Sequence, residues 1–253
     1  MIRRLASRAE AARALLLSSA GRTHEGCVRR LNEDAFIEAP HLGLWAVADG
    51  MGGHEAGEVA SGRVVDALAA LPAPASGFGF VRDVSEALQA ANAELIAYAA
   101  GRHTDVVGST VVALLAVDGH YACLWAGDSR GYLWREGALC PLTRDHSLVQ
   151  ELVDSGALTP AEARTSRRGN VITRAVGVDP VLELAMAQGP MALGDVFLLC
   201  SDGLTGVLED GEIADLLATA PGLDAAAEGL VAAALERGAP DNVTVVLVRA
   251  EAG

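Results

Sequence analysis

The chain of 253 residues carries a formal net charge of −14, with 51% hydrophobic, 21% charged and 4% aromatic residues. That size and apolar share suit one compact domain or at most two small ones, and the negative balance argues against a basic nucleic-acid groove or a membrane-surface footprint. Scarce aromatics leave a core of Ala, Val and Leu without stacking platforms for single strands. Cys27, Cys123, Cys140 and Cys200 lie far apart with no CxxC spacing, which fits free thiols in a reducing compartment better than disulfides or structural zinc. No aliphatic run approaches the roughly 18 to 20 residues that span a bilayer.

In chain order, Arg3, Arg4, Arg8 and Arg13 precede an apolar stretch at residues 14–17. A peripheral helix leading into a first strand is a simpler reading of this segment than a transit-like one. Residues 15–20, 35–39 and 42–48 read as strands, the last two joined at Pro40-His41. Ala56, Ala60, Val64, Leu68 and Leu71 recur at helical steps over residues 55–71 and stop at Pro72 and Pro74. A Pro/Gly connector at 73–80 leads to a second helical pattern through Val84, Leu88, Ala91, Leu95 and Tyr98, with Gly101 as its expected C-cap.

Residues 111–117 and 120–126 flank Asp118-Gly119, and 131–135 and 138–140 flank Glu136-Gly137, so two tight hairpins are expected. Residues 146–154 look helical, Thr159-Pro160 with Glu162 resembles a capped helix start, and the polar stretch 165–170 reads as a mobile surface loop. Strands are expected at 181–187, 195–200 and 243–248, with helices at 212–218 and 224–236 between the last two. This order is not regular βαβ alternation. It points to an α+β fold with helices segregated around largely antiparallel sheets.

The chemistry is suggested by acids at strand ends. Asp49-Gly50, Asp128, Asp202-Gly203 and Asp241-Asn242 each adjoin an apolar strand. Taken singly, each Asp-Gly is a common turn pair. Taken together, carboxylates converging on one rim repel one another unless cations neutralise them, and an all-oxygen set favours magnesium or manganese over zinc. Arg29 lies four and five residues before Glu33 and Asp34. Its fork matches phosphate oxygens, and nearby acids can position metal-bound waters; a surface ion-pair loop, with Asn32 as a turn residue, is the plainer alternative.

Eight segments then resemble, in order, the metal-dependent protein serine/threonine phosphatases of the PP2C family in its bacterial form. They are residues 26–36 (GCVRRLNEDAF), 47–54 (VADGMGGH), 108–110 (GST), 126–132 (AGDSRGY), 142–146 (LTRDH), 170–177 (NVITRAVG), 200–204 (CSDGL) and 241–244 (DNVT). The resemblance implies a single domain over 1–253 with its core at about 15–249, built as an α-β-β-α sandwich of two antiparallel sheets with helices on both outer faces. It also implies two Mg2+ or Mn2+ ions: Asp49 bridging, the Gly50 carbonyl on one ion, Asp202 and Asp241 on the other, and Glu33 and Asp34 holding coordinated waters. Arg29 matches the phosphate-binding arginine, Asp128 and Asp202 match a weaker third metal site, and residues 146–170 match the variable flap.

The implied reaction is hydrolysis of phosphoserine or phosphothreonine in proteins by a metal-bridging hydroxide, without a phosphoenzyme. Substrates of a bacterial serine/threonine kinase, a cytoplasmic location and a monomer are the associated expectations, with neither nucleic acid nor membrane insertion. Two positions depart from the pattern. Met51 stands where some relatives carry a histidine after Asp-Gly, leaving His54 or a metal-bound water as proton donor; Gly206 stands where many carry another acid near the third metal. The acids alone leave open a phosphoesterase acting on nucleotides or small phosphoesters, and a phosphatase-like binding domain is the reading from a different class.

Overall fold

The computed structural model describes residues 15–52, 56–102, 106–164, 166 and 171–253. The expected N-terminal helix, most of the loop at 165–170, and His54 fall outside the described residues. The chain runs through β1 (Leu15–His24), β2 (Asp34–Ala39), β3 (Leu44–Gly52), α1 (Ala56–Ala69), α2 (Gly77–Arg102), β4 (Val107–Ser109), β5 (Val111–Val117), β6 (His120–Ala126), β7 (Arg130–Arg135) and β8 (Ala138–Pro141). It continues through α3 (Leu148–Asp154), α4 (Pro160–Arg164), β9 (Ala185–Pro190), β10 (Val196–Cys200), α5 (Asp202–Thr205), α6 (Asp210–Thr219), α7 (Leu223–Glu236) and β11 (Val243–Ala252).

Two antiparallel sheets result, one ordered β1-β11-β10-β7-β8 and the other β2-β3-β5-β6-β9 with β4 paired to β3. Their central strands are near-continuous apolar runs because both faces are covered. Along β3, Leu44, Ala46 and Ala48 pack under α1 and α2, while Trp45 and Val47 face the other sheet. Along β10, Val196, Leu198 and Cys200 pack under the C-terminal helices, while Phe197 and Leu199 face inward. Strand alternation thus builds three apolar layers, and the four-layer sandwich follows from them.

The two hairpins form where expected: Asp118 (φ 51) with Gly119 (φ 72), and Glu136 (φ 53) with Gly137 (φ 83), adopt the left-handed pair that a tight twisted hairpin requires. The box at Thr159 also forms, with its N–H donating to Glu162 Oε2 at 2.8 Å and its Oγ1 accepting from the Glu162 N–H at 3.3 Å.

Several boundaries differ from the sequence reading, and each has a local cause. Helix α2 starts at Gly77, inside the expected connector, because Ser76 Oγ accepts from the Gly79 N–H at 3.1 Å and buried Phe80 anchors the first turns. Gly101 lies within that helix and is not its cap. Strand β9 begins at Ala185, not at 181, because its register pairs Ala185 with Trp125 and Pro190 with His120, the full usable length of β6. Strand β1 runs to His24 because β11 pairs with it residue by residue. Strand β4 and helix α5 have three and four residues, too short for a periodic signal.

All four cysteines are free; Cys27 and Cys140 are exposed, and burial pushes the Cys123 and Cys200 thiols up to about 12. Among the described residues, no helix is long and apolar enough to cross a membrane.

Candidate active site

The acids gather where the inter-sheet layer opens at one end. Asp49 continues the inward alternation of Trp45 and Val47 on β3, and Asp34 stands directly opposite it on β2. The Asp49 backbone is pinned from the neighbouring strands. Its carbonyl accepts from the Thr110 N–H (2.8 Å) and Ser109 Oγ (3.0 Å), and its N–H donates to Thr110 Oγ1 (3.0 Å). The Asp34 carboxylate takes hydrogen bonds from Ser201 Oγ (2.7 Å) and Thr244 Oγ1 (2.6 Å), which tie it to the end of β10 and to β11 in the other sheet.

The glycines beside two of these acids serve close approach, not turn formation. Gly50 and Gly203 lack positive φ. A methyl group at Gly50 would collide with the Gly57 carbonyl, and one at Gly203 with the Asn242 carbonyl. Backbone therefore meets backbone at both sites, bringing Asp49 toward the start of α1 and Asp202 toward Asp241. The plain turn reading of these Asp-Gly pairs is set aside on this ground.

Asn242 holds the arginine loop. Its Nδ2 donates to the Glu25 and Leu31 carbonyls (2.9 Å each), and its Oδ1 accepts from the Glu33 N–H at 2.8 Å. Arg29 projects from this loop, half-exposed, with Nη2 2.8 Å from Asp241 Oδ2. Asn32 Oδ1 accepts from the Asp34 N–H at 3.2 Å, and its Nδ2 donates to Thr23 Oγ1 at 2.8 Å. Glu33 reaches the Gly57 N–H at the start of α1, yet burial still raises its carboxyl.

The electrostatics are those of an unneutralised acid cluster. Burial, the largest cause at each position, raises Asp34 to about 7, Asp128 to about 7 and Asp202 to about 6, and raises Asp49 well above the usual carboxylate range. Asp34, Asp202, Asp128 and Asp241 all add repulsion at Asp49. Among the described residues, Asp34 Oδ1 and Asp202 Oδ1 are buried without a hydrogen-bond partner.

Buried acceptors left bare beside like charges fit a hard cation that takes oxygen ligands. Among the described residues no three acidic, His or Cys side chains already converge on one ion position. Their present partners are part of the reason: Asp241 is turned onto Arg29 and Asp34 onto two hydroxyls. The all-carboxylate donor set of Asp34, Asp49, Asp128, Asp202 and Asp241 is of the chemical kind that such an ion takes.

Beside Asp128 and Asp202 lies a cleft of about 690 Å³, walled by Arg130, Asp145, Ser147 of the turn before α3, and Gly206. Arg130 forks onto Asp145 at 2.8 and 2.7 Å. That fork ties the residue just before the expected flap region to the strand following Asp128. Sequence reasoning assigned no role to this pair, nor to Asn242, Ser201 or Thr244.

His146 enters the same region, its ring stacked on Trp125 (centroids 5.9 Å apart, planes 16°) and its Nδ1 facing the Gly127 N–H at 3.3 Å. Burial, then Arg174, holds its pKa below the ordinary 6.5. A base whose folded pKa is depressed loses stability as pH falls through its unfolded value. His146→Asn keeps an acceptor for Gly127 but does not titrate. The stability advantage of the native chain over this variant is expected to shrink between about pH 7.5 and about pH 5.5. Thermal melts across that range check it; a pH-independent gap would contradict the neutral-imidazole assignment.

Residues 23–152 match the family profile of Protein phosphatase 2C. The chain is 39% identical to the serine/threonine protein phosphatase PstP of Mycobacterium tuberculosis over 92% of its own length but 45% of that protein. It thus spans less than half of that relative. It is 34% identical to the serine/threonine phosphatase stp of Listeria monocytogenes, covering 90% of this chain and 93% of that one.

Among solved structures, PppA of Pseudomonas aeruginosa, described as a key regulatory component of T6SS, superposes with TM-score 0.87 at 45% identity over 92% of this chain and 97% of its own. The catalytic domain of a PstP in complex with two manganese ions superposes with TM-score 0.85 at 38% identity over 94% of this chain and 99% of its own. The chain belongs to the protein phosphatase 2C family, and its two antiparallel sheets flanked by helices are the fold of these relatives.

Proposed function

We propose that this chain is a metal-dependent phosphatase of phosphoserine and phosphothreonine in proteins. The observation that carries the reading is the set of four partly buried, mutually repelling aspartates at the mouth of the inter-sheet layer, two of them with bare buried oxygens. The relatives' names as serine/threonine phosphatases and the manganese pair in one of them support it.

When bound, a pair of Mg2+ or Mn2+ ions supplies counter-charge for phosphoryl oxygens and lowers the pKa of a bound water toward neutrality. Asp49 and the Gly50 carbonyl would hold one ion, with Asp49, Asp202 and Asp241 holding the other. Glu33 and Asp34 would act through waters. A third ion would be held by Asp128 and Asp202, more weakly because Gly206 adds no oxygen. Arg29 swings from Asp241 onto the phosphoryl oxygens and orients them with a two-point fork. Thr110 and Ser109 keep Asp49 from shifting as substrate arrives. Substrates of a bacterial serine/threonine kinase, met by a monomer in the cytoplasm, complete the reading.

Phosphate release from phosphothreonine and phosphoserine peptides, nucleotides and p-nitrophenyl phosphate, each with Mn2+ and with chelator, tests it. Turnover of phosphopeptides that chelation abolishes is expected. Selective turnover of nucleotides would displace the protein-phosphatase reading, and turnover untouched by chelation would displace the metal.

A further inference from the structure

Met51, the departure from a histidine at this position, has no part in the acid set and yet adjoins it. It lies two residues beyond Asp49 on β3, so its side chain leaves the same strand face about 7 Å further along. Opposite it in the ladder stands Gly108, which has no side chain to compete for the space. The Met51 methyl folds across: a Cβ built on Gly108 would sit 2.9 Å from Met51 Cε and 3.3 Å from Val178 Cγ2. Met51 and Val178 therefore flank the bare Gly108 backbone, with Val178 42% exposed.

The backbone that carries Val178 is firmly tied down. Ser109 and Val176 exchange N–H to carbonyl bonds of 2.9 and 2.8 Å. Fully buried Asn92 accepts from the Gly177 N–H at 2.6 Å and donates to the Asp179 carbonyl at 2.8 Å, bracketing Val178 on both sides. An exposed valine on so rigid a segment gains nothing for the fold by its exposure, and a partner covering it has no ordering entropy to offset there. Methionine beside it adapts to varied apolar shapes. Ser109, which donates to the Asp49 carbonyl, joins this shelf directly to the reaction centre.

We propose that Met51 and Val178 form an apolar shelf that receives an apolar side chain flanking the phosphorylated residue of the substrate. The inference rests on the phosphatase reading above and adds the sequence class that the site prefers. Its test uses phosphothreonine peptides differing only by Leu or Ser immediately before or after the phosphorylated residue, read as the ratio of kcat/KM within each pair. The native chain is expected to favour Leu on one side by about fivefold to tenfold, in line with partial burial of one aliphatic side chain. In Val178→Ser and Met51→Ser the ratio should fall to about twofold or less.

Val178→Ser alone decides the matter should Met51→Ser fold poorly, since Val178 lies outside the acid-bearing strands. A native ratio near one on both sides, or a preference that survives Val178→Ser, overturns the shelf while leaving the phosphatase reading in place. Absence of any phosphopeptide turnover with Mn2+ removes both.

Discussion

Asp49→Asn is expected to lower metal-dependent phosphate release by about a thousandfold or more and, at the same time, to make the metal-free protein more stable. The loss follows from removing the ligand proposed to be shared by both ions, whose charge stabilisation is worth several kcal/mol in the transition state. The gain follows from the cluster itself: Asp49 is desolvated and repelled by Asp34, Asp202, Asp128 and Asp241, so a neutral isostere relieves an unfavourable desolvation of charge. Asp202→Asn should behave alike, since burial and Asp241 oppose its charge.

Metal linkage supplies a third readout. Mn2+ at about a hundred times its dissociation constant stabilises the native chain by about 2.7 kcal/mol, or roughly 5 to 10 °C for a domain of this size. Both variants should lose most of that shift. A phosphate-release assay, calorimetric titration with Mn2+ and melts with and without chelator measure all three. Native-like manganese affinity in Asp49→Asn would reject its ligand role.

That a site can cost stability explains which parts of it were legible in the sequence. The core strands were plain because burial on both faces forces unbroken apolar runs such as residues 44–48 and 196–200. The acids were conspicuous because they end those runs. Asp118-Gly119 and Glu136-Gly137 were legible because a left-handed pair needs such residues.

The supporting contacts were not legible, since they join segments far apart in sequence. Asn242 clasps Glu25, Leu31 and Glu33, Arg130 grips Asp145, and Ser201 with Thr244 holds Asp34 across the sheets. Nothing local in a serine or threonine distinguishes a solvated hydroxyl from one that satisfies a buried carboxylate. The ends of β1 and β9 escaped for a related reason, being set by the length of the partner strand and not by their own residues. The Asp-Gly pairs were found, but the backbone packing that requires glycine at Gly50 and Gly203 was not legible, since it depends on the carbonyls of Gly57 and Asn242.

Arg29→Ala is expected to cut kcat/KM for p-nitrophenyl phosphate and phosphopeptides alike by roughly 10- to 150-fold, because a charge-assisted bond is worth about 1.5 to 3 kcal/mol. Inhibition by inorganic phosphate should weaken in parallel, the ligand sharing the same oxygens. Stability should barely move: the guanidinium is 50% exposed and its pair with Asp241 is an exposed one. Arg29→Lys keeps the charge and loses the planar fork, so its deficit should fall between those of the native chain and the alanine variant.

The loop cannot readily compensate for the missing fork, since Asn242 fixes both the Leu31 carbonyl and the Glu33 N–H. The result also separates two roles for the arginine. If Arg29 served only to neutralise Asp241, alanine would raise manganese affinity by freeing that carboxylate and would leave phosphate inhibition unchanged. If it binds the phosphoryl group, phosphate inhibition collapses whatever happens to the metal, and kinetics with a phosphate titration at saturating Mn2+ decide between the two.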